Sequence, residues 1–301
     1  MTTIQCLNEW HGERASFYHG DCIDVLRQMP AGWADLAVFS PPFADLFTYS
    51  DSVRDMGNVS DDAMFMDSYR FLAEQVTRCL RPGRNMVVHC ADLPSFLWKT
   101  GRKGMRDFPG LLIRAHEDAG LWYSGRVTIW KDPVTEMQRT KAERLLYKNI
   151  RLHAERCSVG NPDYLLIFHK DGRTADDRVS VRHDPEDFPV EVWQEWASPV
   201  WMTINQTNTL NVRGAREDAD GRHMCPLQLD VIDRTVKLWT NPGEVVLSPF
   251  GGIGSEGVGA LAAGRRFVGV ELKESYFLTG VENLCEADNP RQVSMFVGTA
   301  P

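Results

Sequence analysis

Short apolar runs alternate with amphipathic segments along most of the chain. Residues 36–39 (LAVF) form a continuous apolar run, which is typical of a strand buried on both faces of a parallel sheet. Similar runs predict further strands at residues 16–19, 85–89, 244–247 and 267–271. Apolar side chains at helical spacing predict helices at residues 22–29, 62–80, 111–119, 226–239 and 255–263, followed by a closing helix. This alternation predicts an α/β fold with a doubly wound, mostly parallel sheet.

Two regions depart from this alternation. Residues 124–130 and 163–169 are predicted to be antiparallel strands that pair at one edge of the sheet. Residues 171–222 are polar and rich in Asp and Arg, and the alternation stops there, so this stretch is predicted to be an insertion with a separate function. We interpret its three tryptophans as a packing anchor: Trp193, Trp196 and Trp201.

Composition adds three expectations. The 301 residues fit one large α/β domain with an insertion, or two small domains. No stretch approaches the ~20 apolar residues of a membrane span, and the first residues (MTTIQCLNEWHGER) lack the apolar core of a signal peptide. The 7 cysteines include no Cys-x-x-Cys pair, which argues against a zinc site and favours reduced thiols in a cytoplasm. We therefore expect a cytoplasmic protein without a metal.

The distribution of charge bears on the partner. A net charge of −8 at pH 7 argues against a nucleic-acid partner unless positive charge is concentrated locally. Residues 139–156 are such a concentration, and a smaller one lies at residues 99–106. A solvated helix face is the alternative interpretation of either segment. The side chains that we expect to contact phosphates are Arg139, Lys141, Arg144, Lys148 and Arg151.

A glycine loop in the last third has the features of a nucleotide-binding turn. The strand at residues 244–247 runs into residues 248–255 (SPFGGIGS), and a helix and a strand ending at Glu271 follow. Gly252 and Gly254 let backbone amides approach a ligand and adopt φ values that other residues resist. A carboxylate about 20 residues further on can accept from both hydroxyls of a ribose. Such loops also bind dinucleotides, so the loop alone leaves the cofactor open.

A rigid turn follows the apolar run of the first half. Residues 40–43 are Ser-Pro-Pro-Phe, and each proline lacks an N–H and fixes φ near −65°. Oxygens of Ser40 and of the proline pair can accept both hydrogens of an amino group on a planar base, and Phe43 can stack on that base. A base inside a duplex cannot reach such a pocket, so the base would be flipped out. A turn without a ligand is the alternative.

Together the two motifs resemble those of S-adenosylmethionine-dependent DNA amino-methyltransferases. Residues 40–43 resemble the (D/N/S)PP(Y/F/W) motif of that family, and residues 248–255 resemble its DPFxGxGT loop. The resemblance implies a Rossmann-like methyltransferase fold with a seven-stranded sheet, direct methyl transfer to an exocyclic amino nitrogen, and no metal. It assigns the target base to Ser40, Pro41, Pro42 and Phe43. It assigns S-adenosylmethionine to Asp21, His223, Pro226, Ser248, Phe250, Gly252, Gly254, Ser255 and Glu271.

The order of the motifs indicates a subclass. The target-base motif precedes the cofactor loop, which is the order of the circularly permuted β class, and the resemblance extends to phage and prophage members. It implies a catalytic half at residues 1–170, with a basic DNA-facing lobe at about 131–160. A target-recognition insertion at 171–222 and a cofactor half at 223–301 would follow. Within the insertion, Arg213, Arg216, Asn205 and Asn208 are expected to contact DNA.

Two serines bear on the activity. Within the family, Ser at position 40 is more typical of enzymes that methylate N4 of cytosine, whereas Asp or Asn is more typical of N6-adenine enzymes. We therefore favour N4-cytosine and keep N6-adenine as the alternative. Ser248 stands where the family loop has Asp, so an inactive, DNA-binding relative of the family is one alternative. An RNA methyltransferase of the same fold is another. The expected partner is double-stranded DNA, while a homodimer and a partner restriction nuclease stay open. His89 is interpreted as a core histidine, and a place in the lining of the active cleft is the alternative.

Overall fold

Strands and helices alternate in the computed structural model, which describes residues 4–42, 62–95, 97, 101, 104–140, 145–172, 180–211 and 226–289. Its first elements are β1 (Asn8–His11), β2 (Ala15–His19), α1 (Cys22–Gln28), β3 (Ala34–Phe39), α2 (Asp62–Cys79), β4 (Leu80–Ala91), β5 (Leu93–Ser95), β6 (Gly104–Arg106), α3 (Phe108–Asp118) and β7 (Trp122–Ile129). The elements that follow are α4 (Pro133–Thr140), α5 (Tyr147–Leu152), β8 (Asp163–His169), α6 (Val190–Trp196), β9 (Val200–Trp201), α7 (Leu229–Trp239), β10 (Val245–Ser248), α8 (Ser255–Ala262), β11 (Arg266–Glu271) and α9 (Glu274–Asp288). Among the described residues, no helix is long and apolar enough to cross a membrane.

One sheet organises the chain. Its nine strands lie in the order β1-β2-β11-β10-β3-β4-β8-β7-β9, and a separate hairpin joins β5 to β6. Strands β2, β11, β10, β3 and β4 are parallel, whereas β8 runs antiparallel to β4 and β7. The predicted mostly parallel α/β sheet and its antiparallel edge pair are confirmed. The predicted number of seven strands is wrong, because β1 and the two-residue β9 extend the sheet at its two edges.

The helices of the two halves of the chain cover opposite faces of the sheet. Helices α1, α2 and α3 pack on one face, where Ala37 and Phe39 of β3 point. Helices α7, α8 and α9 pack on the other, where Leu36 and Val38 point. All four side chains are fully buried, as the continuous apolar run predicts for a central parallel strand.

Several predicted boundaries are wrong by a few residues. Helix α3 begins at Phe108 rather than residue 111, because the Asp107 side chain accepts from the Gly110 amide (2.8 Å) and caps the helix. Strand β4 begins at Leu80 rather than at residue 85. Helix α7 begins at Leu229, three residues later than predicted. Capping by Asp107 explains the start of α3, and pairing of Leu80 with Ala34 of β3 explains the start of β4.

The glycines of α8 are explained by close packing. A Cβ at Gly257 would lie 2.4 Å from Leu284 and 2.6 Å from Phe267, and one at Gly259 would lie 2.4 Å from Ile232. The helix therefore approaches α7, α9 and β11 more closely than any residue with a side chain would allow. This contact offsets the helix propensity that each glycine costs, about 1 kcal/mol.

The polar insertion is anchored to the sheet and to α7. Strand β9 pairs with β7, and the Arg234 guanidinium of α7 lies over the rings of Trp196 (5.6 Å) and Trp201 (5.3 Å). Arg234 also donates to Glu195 (2.7 Å). Trp196 and Trp201 therefore form the expected packing anchor, whereas Trp193 is 55% exposed and lies outside it.

A buried ion network joins β3, β4 and β10 near the amino ends of β3 and β10. Arg84 is 2% exposed, bonds to Glu244 and lies 3.6 Å from Asp35 Oδ1. Asp35 also accepts from the Val245 amide (2.9 Å) and pairs with Arg81. The network therefore ties strands from both ends of the chain to one another.

Replacing Arg84 with Met should lower the free energy of unfolding by about 3–5 kcal/mol, because the buried Asp35 and the half-buried Glu244 lose their shared cation. Arg81→Met is the matched control: it also removes a cation from Asp35, but its side chain is 36% exposed and its loss should be smaller. Urea unfolding at pH 7 measures both. Equal losses would contradict the role assigned to Arg84.

Candidate active site at the carboxyl edge of the sheet

The two sequence motifs lie side by side at the carboxyl edge of the sheet. Strands β3 and β10 are parallel neighbours, with Ala37 opposite Leu247. The turn that begins at Ser40 follows β3, and the glycine loop follows β10, so both leave the sheet at the same edge. The rings of Phe39 and Phe250 are in contact, with centroids 6.0 Å apart. Ligands of open α/β sheets bind at such an edge.

The glycine loop is held by the end of the neighbouring strand. Gly252 and Gly254 have φ of +52° and +86°, the left-handed region that the sequence predicts for them. The Gly252 amide donates to Glu271 Oε2 (2.8 Å), and the Lys273 amide donates to Glu271 Oε1 (2.8 Å). Each carboxylate oxygen can accept more than one hydrogen bond, so Glu271 can also accept from a ligand.

Asp21 lies beside the site, two residues after β2, which is the neighbour of β11 in the sheet. The Gly20 amide donates to the Glu271 carbonyl (2.9 Å), which places the start of α1 beside the loop. Asp21 Oδ1 accepts from the amides of Ile23 (2.9 Å) and Asp24 (3.1 Å), so this side chain also caps α1. Its position is therefore fixed by the helix that it begins.

Two buried polar side chains lie beneath the loop. Ser248 is fully buried, and its hydroxyl oxygen has no hydrogen-bond partner within the part of the chain that the structure describes. Burial raises the pKa of Glu256 to about 8, and the negative charge of Glu271 acts in the same direction. Glu256 is therefore neutral at pH 7. It was not predicted from the sequence as a site residue. Ser255 is buried beside it at the first position of α8.

Ser40 contacts a chain of polar side chains at the same edge. Ser40 Oγ lies 2.8 Å from His89 Nδ1, and His89 Nε2 lies 3.2 Å from Asp163 Oδ2. Lys131 Nζ donates to Asp163 Oδ1 at 2.5 Å. Burial raises the pKa of Asp163, but the positive charge of Lys131 and the close contacts with Lys131 and His89 outweigh burial and lower this pKa to about 2. Asp163 is therefore ionised at neutral pH.

The other three members of this chain, His89, Asp163 and Lys131, were not among the site residues predicted from the sequence. His89 is buried, as a core histidine would be, yet it contacts the candidate site. Asp163 begins β8 and pairs in register with Ala91 of β4 and Ile129 of β7, so three strand ends meet there. One feature of the sequence could have pointed to them: each lies next to the end of an apolar run. An open α/β sheet places such strand ends along one edge.

The remaining predicted residues fall into three groups. Pro41 is buried, Pro42 is half-buried, and Pro226 is half-buried just before α7. Lys148 and Arg151 are exposed on α5, where the Arg151 guanidinium lies 5.9 Å from the Tyr147 ring centroid. Phe43, Lys141, Arg144, Arg213, Arg216, His223 and the side chain of Arg139 lie outside the described residues.

The two asparagines expected to contact DNA are engaged within the protein. Asn208 Nδ2 donates to Asp230 Oδ1 of α7 (2.5 Å). Asn205 Oδ1 accepts from the Thr207 amide (3.0 Å), and the Asn205 amide donates to Asp230 Oδ2 (2.8 Å). In this arrangement both residues fasten the insertion to α7. Within the described residues, no three His, Cys, Asp or Glu side chains are grouped as metal ligands.

Comparison with known sequences gives one family. A family model described as DNA methylase, of the N6/N4 type, matches residues 34–282. The chain is 31% identical over 176 residues to type II methyltransferase M.BglI of Bacillus subtilis, covering 58% of this chain and 42% of that protein. It is 20% identical over 276 residues to DNA adenine methyltransferase YhdJ of Escherichia coli K12, covering 90% and 83%. The match spans 56% of type II methyltransferase M.BamHI of Bacillus amyloliquefaciens, so the chain spans about half the length of M.BglI and M.BamHI.

Solved structures share the fold. A proposed DNA modification methylase of Thermus thermophilus, in complex with S-adenosyl-L-methionine, aligns with a TM-score of 0.66 at 21% identity and covers 91% of this chain and 96% of that chain. The cytosine-N4-specific PvuII DNA methyltransferase aligns with a TM-score of 0.62 at 17% identity and covers 92% of both. At these identities the likeness concerns the fold.

Replacing Gly254 with Ala should weaken binding of S-adenosylmethionine about tenfold or more. The new Cβ would lie 3.2 Å from the Gly280 carbonyl oxygen at a φ of +86°, so the loop and the Gly252 amide must shift. Gly264→Ala is the matched control, since its φ is +76° but its Cβ would meet nothing within 4 Å. It should cost about 1–2 kcal/mol of stability and leave binding unchanged. Isothermal titration calorimetry and urea unfolding distinguish the two, and equal affinities would contradict the role of the loop.

Proposed function

Because the chain belongs to the N6/N4 DNA methylase family, we propose that it transfers a methyl group from S-adenosylmethionine to an exocyclic amino nitrogen of a base in double-stranded DNA. The observation that carries this proposal is the adjacency of the Ser40 turn and the glycine loop on parallel neighbours β3 and β10. A methyl donor held by the loop and a base held by the turn would meet between these two strands. Methyl transfer requires this placement, because the amino nitrogen has to contact the methyl carbon in line with the bond that breaks.

The residues at the loop fit the cofactor. The left-handed glycines form a tight turn after β10, the Glu271 oxygens can accept from ribose hydroxyls, and the buried Ser248 hydroxyl lacks a partner among the described residues. When bound, S-adenosylmethionine supplies a methyl group on a positively charged sulfur. We assign Asp21, Phe250 and Ser255 to the same ligand, together with Pro226 and His223. The raised pKa of Glu256 reduces the negative charge beneath the loop at neutral pH.

The favoured target is N4 of cytosine. Ser40 is the residue that the family uses more often for that base, and the PvuII enzyme with the same fold is cytosine-N4-specific. The base would be flipped out of the duplex, with its amino hydrogens accepted by Ser40 Oγ and by a carbonyl of Pro41 or Pro42, and with Phe43 stacked on its ring. N6 of adenine is the second candidate, because YhdJ is an adenine methyltransferase.

The chain order supports assignment to the β class. The turn at Ser40 lies in the first half and the loop at residues 248–255 in the last third, with the insertion between them. We propose that residues 171–222 contribute to target recognition and that residues 1–170 and 223–301 complete one catalytic domain. Pairing of β3 with β10 makes those two parts inseparable in the fold. The DNA would lie over the carboxyl edge, within reach of the basic lobe.

The test of the function is methyl transfer followed by nucleoside analysis. The protein is incubated with labelled S-adenosylmethionine and duplex DNA from a strain without methylation, and the digested nucleosides are identified by mass spectrometry. We expect label in N4-methyldeoxycytidine. Label in N6-methyldeoxyadenosine would identify N6 of adenine as the target instead. Label only in RNA would identify RNA as the substrate instead of DNA. Cofactor binding without transfer to any nucleic acid would contradict the enzymatic function.

Reversing two exposed charges tests the DNA-facing surface. The double variant Lys148→Glu/Arg151→Glu should weaken duplex binding and reduce the slope of log K against log salt by about two, because each phosphate contact contributes about 0.9. Arg70→Glu/Lys237→Glu is the control, since it changes the net charge equally on exposed side chains of α2 and α7. Fluorescence anisotropy at several salt concentrations measures both. Equal effects of the two double variants would place the DNA elsewhere.

A further inference from the structure

The hydroxyl of Ser40 is the first member of a series of close polar contacts that crosses four segments of the sheet edge. Ser40 follows β3, His89 lies near the end of β4, Asp163 begins β8, and Lys131 follows β7. The successive separations are 2.8 Å, 3.2 Å and 2.5 Å. His89 and Asp163 are 8% and 4% exposed, so the middle of the series is shielded from water. Residues of β4 and β8, and of the segment after β7, are thus linked to the Ser40 hydroxyl through successive contacts.

The ionised carboxylate determines where the protons lie. Asp163 can only accept hydrogen bonds, so the imidazole nitrogen that faces it, Nε2, carries a proton. In the neutral imidazole the other nitrogen, Nδ1, is then an acceptor, and Ser40 Oγ donates to it. The lone pairs of Ser40 Oγ consequently point away from His89. They can accept a hydrogen from a group that binds against the turn.

We propose that His89 and Asp163 form a proton relay that lets Ser40 accept the proton released by the target amino group. This inference rests on the proposed methyl transfer. Ser40 touches the substrate in this scheme, whereas His89 and Asp163 act through Ser40 and are positioning residues. The relay gives a neutral hydroxyl the proton-accepting capacity that a carboxylate at the same position has by itself.

The proton balance is complete. As the amino nitrogen forms its bond to the methyl carbon, the carbon–sulfur bond breaks and its electron pair stays on the departing sulfide. The nitrogen then releases one proton to Ser40 Oγ, while the Ser40 hydroxyl proton moves to His89 Nδ1. The resulting imidazolium lies 3.2 Å from the Asp163 carboxylate, which stabilises it. The proton leaves His89 for solvent after the product departs, and Lys131 keeps Asp163 oriented throughout.

Single-turnover kinetics of His89→Asn test the relay. With saturating cofactor and duplex, the variant should transfer methyl groups about 100-fold more slowly, while its dissociation constants for S-adenosylmethionine and DNA stay within about twofold of the wild-type values. Asp163→Asn should slow transfer in the same way. His169→Asn is the matched control: His169 also lies in the β4–β8 ladder and hydrogen-bonds a neighbour, Asn85 (2.8 Å), but at the opposite end of the strands. It should transfer at the wild-type rate.

A double-mutant cycle separates proton transfer from structure. In the Ser40→Asp background the carboxylate needs no relay, so adding His89→Asn should slow transfer less than about threefold. Equal losses from His89→Asn in both backgrounds would overturn the relay, and so would a His89→Asn rate equal to that of the wild type. Absence of transfer by the wild-type protein would overturn the proposed function instead.

A spectroscopic measurement tests the relay without turnover. Nitrogen-15 NMR of the histidine-labelled protein should show His89 protonated at Nε2 and unprotonated at Nδ1, and Ser40→Ala should move the Nδ1 resonance. This measurement tests the relay even if the Ser40→Asp variant is inactive. The opposite tautomer, or a Nδ1 resonance unaffected by Ser40→Ala, would overturn the relay.

Discussion

The parallel pairing of β3 with β10 is the constraint on which the rest of the molecule depends. It joins a strand from the first 40 residues to one from the last 60, and it places the turn after one beside the loop after the other. Parallel pairing requires both carboxyl ends to meet at one edge. Every other part of the candidate site is arranged around that pair, with β11 and β2 on the cofactor side and β4 and β8 on the side of Ser40.

The two edges of the sheet have opposite character. Near the amino ends of β3 and β10, the buried Arg84 lies between the buried Asp35 and the half-buried Glu244. At the carboxyl ends, Glu271, Ser40 and Lys131 are half-buried, so each is partly accessible. Ligands of open α/β sheets bind at this edge.

Much of the fold could be predicted because strands buried on both faces appear as apolar runs. Residues 36–39 and 267–271 show this directly. Strand β9 could not be predicted, since two residues carry no periodicity and its pairing with β7 is decided by the burial of Trp201. In the site, the residues on turns with special backbone geometry, such as Gly252 and Gly254, were predicted. His89 and Asp163 were missed because their proximity arises from the pairing of distant strands: their places at the ends of apolar runs indicate the edge of the sheet, but not that they lie beside each other.

The insertion is fastened at two places that belong to different parts of the chain. Strand β9 extends the sheet beyond β7, and Arg234 of α7 is enclosed by Trp196 and Trp201. These contacts also tie α7, which precedes the glycine loop, to the far edge of the sheet. An exchange of this segment between relatives would therefore have to preserve the tryptophan pair and its arginine. Residues of the insertion outside this anchor can change, and with them the molecules that the insertion contacts. The tryptophan pair and its arginine therefore mark the part of the insertion that has to stay the same.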